Sequence, residues 1–178
     1  AAIENPELIK KAAEKFGSQC IVISIEYKIW PDNLFIKSRN STVSRGASQK
    51  YIKDEKYFQV YTENGRQQTG MEAFEWACEA VRMGAGEILL TSIDKEGVQK
   101  GFELELTNAI SKEVSVPVIA AGGAGSKEDI RDIILKSEVD AVSIASILHY
   151  NKNTISEIKS HLKESNIKVA DHDYNLTL

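Results

Sequence analysis

Hydrophobic positions along this chain follow two patterns, one typical of helices and one typical of buried strands. Apolar residues recur three to four positions apart after Asn5-Pro6-Glu7 and stop at Gly17, which predicts a first helix. Four continuous apolar runs follow, at 20–25, 87–93, 116–121 and 139–145. Apolar runs without alternation are typical of parallel strands that are covered on both faces.

Helical patterns separate these runs. Helix starts are predicted at Thr69, Leu104, Ser126 and Thr154. Two of them have the spacing of a capping box, Thr69 with Glu72 and Ser126 with Asp129. Strands that alternate with helices predict a parallel α/β sheet with right-handed crossovers. Since a (β/α)8 barrel usually takes about 250 residues, four such units predict half of a TIM barrel.

The segment from Ile29 to Lys56 interrupts the alternation. It is polar and basic and has no sustained periodicity, so we predict an inserted, partly disordered loop after the first strand. Tyr57–Thr62 is predicted as a further strand, with Asn33–Lys37 as its candidate hairpin partner. The tail from Asp171 is expected to be loose. Residues 1–178 are otherwise expected to form a single half-barrel domain.

Composition narrows the class of protein. Hydrophobic residues make up 42% and charged residues 27% of the chain, as in soluble globular domains. A net charge of -4 argues against a nucleic-acid binder, and no apolar run is long enough to span a bilayer. Cys20 and Cys78 suit neither a zinc site nor a redox pair, so we expect buried thiols in a cytoplasmic protein.

Two loops at predicted strand ends have the chemistry of an anion site. Gly122-Gly123-Ala124-Gly125 follows the third apolar run, and Ile144-Ala145-Ser146 lies at the end of the fourth. Glycines let a backbone approach an anion closely, and N–H groups at a helix start favour negative charge. In barrels, phosphate often binds in the last two such loops. The alternative is a glycine-rich turn that only permits tight strand–helix packing.

The other two strand ends carry polar side chains. Thr91 and Asp94 could hydrogen-bond a polyol or heterocycle, and Gly97 could offer a further amide; alternatively, Asp94 caps a turn. Glu26 ends the first run and could transfer protons, or form a salt bridge with Lys28. No His/Cys/Asp cluster indicates a metal, and no Ser-His-Asp arrangement indicates a hydrolase.

A set of ordered motifs carries a resemblance to a known family. They are AAIENPELI, FGSQC, GAGEILLTSID, ELT, PVIAAGGAG and DAVSIAS. The chain resembles the C-terminal half of the cyclase subunit of imidazole glycerol phosphate synthase, from Ala1 to about Val169 with the 29–56 interruption. The resemblance implies a (β/α)8 barrel with two phosphate sites, of which this chain holds strands five to eight.

The resemblance also implies an activity. The family is an ammonia-dependent lyase/cyclase of histidine biosynthesis that needs no cofactor. It receives ammonia from a glutaminase subunit and converts a phosphorylated ribotide into imidazole glycerol phosphate and aminoimidazole carboxamide ribotide. Gly97, Gly123 and Ser146 match its phosphate-contacting positions, Thr91 matches a substrate position, and Glu87 lies near the ammonia entrance. Gly122 and Asp94 complete the predicted substrate site.

Two departures from the family pattern concern acidic residues. The strand-five catalytic residue is normally Asp, and this sequence has Glu26; the Asp-Gly-Thr after strand six is Glu96-Gly97-Val98 here. Both fit an alternative, a cyclase-like paralogue that passes ammonia to a sugar amidotransferase in surface-polysaccharide synthesis. The isomerase that makes the cyclase's ribotide shares the fold and is a third candidate.

The resemblance covers only the second half of a barrel. Strands one to four, with the other carboxylate and the other phosphate site, are not in the sequence. We therefore expect the chain alone to lack cyclase turnover. An open half-barrel exposes apolar surface, so we also expect self-association of half-barrels.

Overall fold

The structure, a computed structural model, describes residues 1–31 and 56–170 of the 178-residue chain. These residues form one sheet with helices. Its strands are β1 (Val22–Pro31), β2 (Lys56–Thr62), β3 (Gln67–Glu72), β4 (Glu87–Ser92), β5 (Val118–Ala121) and β6 (Ala141–Ser143). The helices are α1 (Glu7–Phe16), α2 (Ala73–Arg82), α3 (Glu105–Glu113), α4 (Lys127–Ser137), α5 (Ser146–His149) and α6 (Ile155–Glu164), with a 3-10 turn at Ser18–Cys20.

The described strands pair in the order β3-β2-β1-β4-β5-β6. β1, β4, β5 and β6 run parallel, which confirms the predicted parallel α/β sheet. β2 and β3 add to the other edge of β1 in antiparallel fashion. The predicted strand at 57–62 is therefore confirmed. Its candidate partner at 33–37, the predicted disorder of the loop and the tail from Asp171 lie outside the described residues.

β1 differs from its prediction at both ends. It begins at Val22 rather than residue 20 and continues to Pro31, because its second half pairs with β2, from Glu26 opposite Tyr61 to Pro31 opposite Lys56. Ile29, placed in the loop by its polar neighbours, is thus part of the strand. The shorter beginning leaves Cys20 in the 3-10 turn, where it is exposed, so the prediction of a buried thiol was wrong there.

The prediction of a helix start at Thr69 was also wrong. Residues 67–72 form β3, and α2 begins after Glu72. The Thr69 hydroxyl donates a hydrogen bond of 2.7 Å to the Val60 carbonyl on β2, so sheet pairing uses the group expected to cap the helix. Glu72 is the N-cap instead, and its carboxylate accepts the Glu75 N–H at 3.0 Å.

The capping box predicted at Ser126 forms, and the helix predicted to start at Thr154 has one as well. Ser126 accepts the N–H of Asp129, and the Asp129 carboxylate accepts the N–H of Ser126 in return. Thr154 and Glu157 make the same reciprocal pair at the start of α6. These local hydrogen bonds satisfy N–H groups that the first helical turn would leave unpaired.

The core lies on one face of the sheet, beneath the helices. Side chains of β1, β4 and β5 point into it alternately and pack against α2, α3 and α4. The buried residues of the three strands on this face are Ile23, Ile25, Tyr27, Ile88, Leu90, Val118 and Ala120. Those of the three helices include Phe74, Trp76, Ala77, Leu106, Ile110, Ile130 and Ile133.

The opposite face of the four parallel strands is open. Val22 is 49% exposed, and Ser24 is exposed beside it. Leu89 and Ile119 on the same face are only half-buried. The apolar runs alone predicted that both faces are covered, but only the helix-bearing face is covered in the described part of this chain, as expected for an open half-barrel. Apolar residues nevertheless remain on this second face.

Glu72 links β3 and α2 through a carboxylate that is largely removed from water. Burial raises its pKa from 4.5 to about 7, although the hydrogen bond from the Glu75 N–H opposes the shift. The folded state therefore binds this proton more tightly than the unfolded chain between these two pH values. The resulting stabilisation is complete below pH 4.5 and is lost as the pH rises towards 7.

We predict that Glu72→Gln removes this pH dependence. The amide oxygen can still accept the Glu75 N–H, but the side chain no longer loses a proton. The wild-type free energy of unfolding should fall by roughly 2–3 kcal/mol more than that of the variant between pH 4.5 and 8. Denaturant unfolding at several pH values measures this. Glu79→Gln, on the exposed side of the same helix, is the control, and equal pH profiles for wild type and Glu72→Gln would contradict the prediction.

Candidate functional site

A pocket of about 200 Å³ lies on the open sheet face, at the carboxyl ends of the parallel strands. It is bordered by the loops that follow β4, β5 and β6. Its lining residues are Leu89, Thr91, Glu96, Gly97, Ala121, Gly122, Gly123, Ala124, Ser143, Ile144, Ala145 and Ser146. The structure thus brings together five of the predicted site residues, namely Thr91, Gly97, Gly122, Gly123 and Ser146.

The loop after β5 takes its shape from glycines in the left-handed region of backbone space. Gly122 has φ 85° and Gly123 has φ 120°. A Cβ added at Gly123 would lie 2.3 Å from the Gly101 carbonyl oxygen, and one at Gly125 would lie 2.2 Å from that of Gln99. The glycines therefore allow the loops after β4 and β5 to touch backbone to backbone, so tight packing accounts for part of the motif.

Not every amide of this loop is available to a ligand. The Asp129 carboxylate accepts the N–H groups of Gly125 and Ser126, each at 3.0 Å. The expected contribution of the α4 start to an anion site is thus used by its own capping box. Among the described residues, no protein acceptor takes the N–H of Gly123 or Ala124.

The loops on either side offer further amides to the same pocket. Gly97 follows β4 with φ 71°, and Ser146 begins α5 after β6. Neither N–H has a protein acceptor within the described ranges. Convergent backbone N–H groups in a concave site are the usual protein contribution to phosphate binding. Glu96 adds a carboxylate to the same lining, which opposes a nearby anion.

Glu26 lies on the open face beside the pocket. Glu26 pairs with Thr91 on the neighbouring strand β4. Thr91 pairs with Ala121 on β5, and Ala121 pairs with Ser143 on β6. Neighbouring strands are about 4.8 Å apart, so Glu26 is one strand spacing from the pocket wall. No ion pair links Glu26 to Lys28 in the described structure, because the Lys28 ammonium lies 4.7 Å from the centre of the Tyr61 ring.

Two predicted site residues lie elsewhere. The Asp94 carboxylate accepts the Ile29 N–H at 2.7 Å and does not line the pocket. It therefore holds the loop after β4 against β1. This structural role resembles the alternative prediction, in which Asp94 caps a turn. Glu87 is at the other end of β4 from Thr91, four residues away, which corresponds to about 13 Å along a strand.

Sequence reasoning missed three contributions to this region. Ala124 was included in the glycine-rich motif but not singled out as a pocket residue. Glu96 was noted only as a departure from a motif, although its place next to Gly97 was a signal for pocket lining. Glu103, buried below the loop after β4, had no sequence signal that distinguished it from a surface glutamate.

The described residues contain neither a candidate metal-binding cluster nor a candidate membrane-spanning helix. No group of three or more His, Cys, Asp and Glu side chains there is placed to hold a metal ion. No helix in residues 1–31 and 56–170 combines the length and apolar character needed to cross a membrane.

Comparisons with known proteins identify the family that this chain matches. Residues 1–154 match the model of a family described as histidine biosynthesis protein. Similar proteins include imidazole glycerol phosphate synthase subunit HisF of Bacillus pumilus (strain SAFR-032), 44% identical over 169 residues that cover 95% of this chain and 58% of the relative. The same subunit of Methanopyrus kandleri is 43% identical, with 95% and 60% covered, and that of Thermosynechococcus vestitus is 40% identical, with 95% and 54% covered.

The chain therefore spans somewhat more than half the length of these relatives. The motifs quoted above carry the resemblance, and these matches confirm it.

Two glycine substitutions should distinguish the free-energy cost of a steric clash from the cost of a left-handed backbone conformation. Gly123→Ala creates a Cβ 2.3 Å from a carbonyl oxygen, whereas one at Gly97 meets nothing within 4 Å. We expect Gly97→Ala to cost about 1 kcal/mol for its left-handed backbone, and Gly123→Ala about 2–3 kcal/mol. Denaturant unfolding of both variants measures the difference. Equal losses would contradict the backbone contact between the two loops.

Proposed function

Because the chain belongs to the histidine biosynthesis protein family, we propose that it is the C-terminal part of the cyclase subunit of an imidazole glycerol phosphate synthase. Its four parallel strands would be strands five to eight of a (β/α)8 barrel. The observation that carries the proposal is the pocket of free backbone amides beside Glu26, at the strand ends where barrel active sites lie.

In this proposal the pocket holds one phosphate of the phosphorylated ribotide. Gly97, Gly123, Ala124 and Ser146 line it from three loops, and their backbone N–H groups would bind oxygens on several sides of the phosphate. The hydroxyl of Thr91 lies between the phosphate and Glu26 in the cross-strand row. An extended substrate anchored at its phosphate would therefore run along the open face towards β1.

Glu26 would act as one of the two acid–base groups of the reaction. A carboxylate can accept a proton from a reacting group and return it, provided that it is within hydrogen-bond distance. The other carboxylate would come from the barrel half that this chain lacks, which is why we expect no cyclase turnover from the chain alone. The extra methylene of Glu26 relative to Asp moves its oxygens by more than about 1 Å, enough to cost ~100-fold in rate.

The position of the pocket on the sheet also suggests where two partners would bind. Ammonia from a glutaminase subunit would reach the active site from the amino ends of the strands, where Glu87 lies on the open face. The apolar part of this face, with Val22, Leu89 and Ile119, would be covered by a complementary half-barrel. In its absence, two copies of the chain would associate through it. A cytoplasmic location belongs to this proposal as well.

A second candidate keeps the fold and changes the chemistry. Glu26 replaces the usual Asp, and Glu96-Gly97-Val98 replaces the usual Asp-Gly-Thr beside the phosphate pocket. Both changes favour a cyclase-like paralogue that transfers ammonia to a sugar amidotransferase without closing an imidazole ring. No feature of the described site favours the isomerase over these two.

Phosphate binding tests the pocket directly. Ser146→Asp places a carboxylate where the phosphate would lie, and repulsion should weaken binding of glycerol 3-phosphate by at least about tenfold. Amide chemical-shift titration of the chain measures this affinity. Ser156→Asp makes the same charge change at an exposed position in the first turn of α6 and is the matched control. Equal affinities for the two variants would place phosphate elsewhere.

Glu26 distinguishes the two candidate functions. We would combine the chain with the part of the Bacillus pumilus relative that it does not cover and follow ribotide conversion with ammonium salts. For a cyclase, Glu26→Asp should raise turnover by up to ~100-fold and Glu26→Gln should abolish it. For the paralogue, neither change should produce turnover. Conversion by the 178-residue chain alone would contradict the half-barrel proposal.

A further inference from the structure

We propose that Glu103 is a positioning residue for the phosphate pocket, acting through the backbone contact between Gly101 and Gly123. The proposal deepens the proposed function and rests on it for the identity of the ligand. Glu103 does not line the phosphate pocket. It is 8% exposed and lies at the junction of the loop after β4 with α3.

Glu103 joins the loop after β4 to two other elements, α3 and β1. Its Oε1 accepts the N–H of Glu105, and its Oε2 accepts the N–H of Leu106, both at 2.9 Å. The Tyr27 hydroxyl on β1 donates to Oε2 at 3.4 Å. The Glu103 carbonyl accepts the Thr107 hydroxyl at 2.7 Å. A buried carboxylate is costly without such donors, so its position is closely specified by them.

The loop between β4 and Glu103 is fixed at both ends. At its start, the Ile93 N–H donates to the Tyr27 carbonyl at 3.0 Å, and Asp94 accepts the Ile29 N–H at 2.7 Å. At its end, Glu103 holds the chain to the first turn of α3. Tyr27 takes part at both ends, through its carbonyl and its hydroxyl. The carboxylate therefore restrains the end of the loop whose residues Gln99 and Gly101 contact the loop after β5.

The contact between Gly101 and Gly123 also orients the peptide group that links Gly123 to Ala124. The Gly101 N–H donates to the Gly123 carbonyl at 2.9 Å. In a trans peptide the carbonyl and the following N–H point in opposite directions, so this bond directs the Ala124 N–H away from Gly101. Ala124 lines the pocket and has no protein acceptor among the described residues. A displacement of Gly101 would thus rotate an amide that we assign to the phosphate.

Glu103→Gln tests this chain of contacts. The variant keeps the side-chain size but replaces one acceptor oxygen with an NH2 group that faces a backbone N–H. We expect phosphate, probed with glycerol 3-phosphate, to bind about tenfold more weakly to the folded variant, equivalent to one lost charge-assisted hydrogen bond. Glu105→Gln is the matched control, because its carboxylate contacts Lys56 and its backbone N–H is unchanged.

A ligand-free readout separates this inference from the proposed function. The through-hydrogen-bond NMR coupling between the Gly101 nitrogen and the Gly123 carbonyl carbon should be weakened in Glu103→Gln and unchanged in Glu105→Gln. Unchanged coupling and unchanged phosphate affinity in a folded Glu103→Gln would overturn the inference. If wild type binds no phosphate, the proposed function fails, and the coupling alone decides the role of Glu103.

A purely structural role would lower the free energy of unfolding and leave both readouts of the folded protein unchanged. Should Glu103→Gln fail to fold, Thr107→Val removes one donor to the Glu103 carbonyl in the same turn. It should weaken the same coupling with a smaller, two- to threefold loss of phosphate affinity, roughly half the free energy of a tenfold change. A folded Thr107→Val with wild-type coupling would then count against the proposal.

Discussion

The site depends on the direct contact between the backbones of two loops, those after β4 and β5. Gly123 approaches Gly101 so closely that no side chain fits between them, and Gly125 approaches Gln99 in the same way. One backbone hydrogen bond, from Gly101 to Gly123, closes the contact. Because the loops are in contact, residues of both line one pocket rather than two separate surfaces. The same glycines that pack the loops therefore also shape the proposed anion site, and the packing and binding interpretations are compatible.

The two faces of the sheet differ in how far their apolar side chains are buried. On the helix-bearing face, side chains of parallel strands and helices form a closed core. On the other face, Val22, Leu89 and Ile119 remain accessible next to Glu26 and Thr91. Burial of apolar surface is the main favourable term in folding, so an apolar open face indicates that a complementary surface belongs there. The relatives are longer than this chain, and in our proposal a complementary half-barrel supplies that surface.

Sequence reasoning succeeded where the determining interactions are local. The capping box predicted at Ser126 involves residues three positions apart and forms, and the helix predicted to start at Thr154 has that residue as its N-cap. The Thr69 pattern has the same form, but its hydroxyl bonds to Val60 on a neighbouring strand, which no local pattern reveals. The parallel strands were found because their apolar runs are strong signals, while their ends were set by pairing, as the extension of β1 along β2 shows.

The sequence predicted those parts of the candidate site that are formed by backbone groups. Glycines at strand ends indicated Gly97, Gly122 and Gly123, and their loops do converge. Side-chain roles were less predictable, because they depend on which neighbour an oxygen meets. Asp94 was assigned to the ligand but bonds to β1. The amides at the start of α4 were assigned to phosphate, although the capping box predicted for Ser126 already required Asp129 to take one of them.

Acidic residues decide how far the family chemistry applies to this chain. Glu26, Glu96 and Glu103 occupy three different environments within one region: the open face, the pocket lining and the buried loop base. Only Glu103 has its carboxylate charge compensated by backbone N–H donors, and even so burial raises its pKa. Glu96 has no such compensation in the described structure and lies where a phosphate would bind. The Glu96 side chain is exposed, and a bound dianion would favour the rotamers that keep its carboxylate in solvent. Backbone amides, which cannot turn away, would then provide the attraction, and the flexible carboxylate would reduce it.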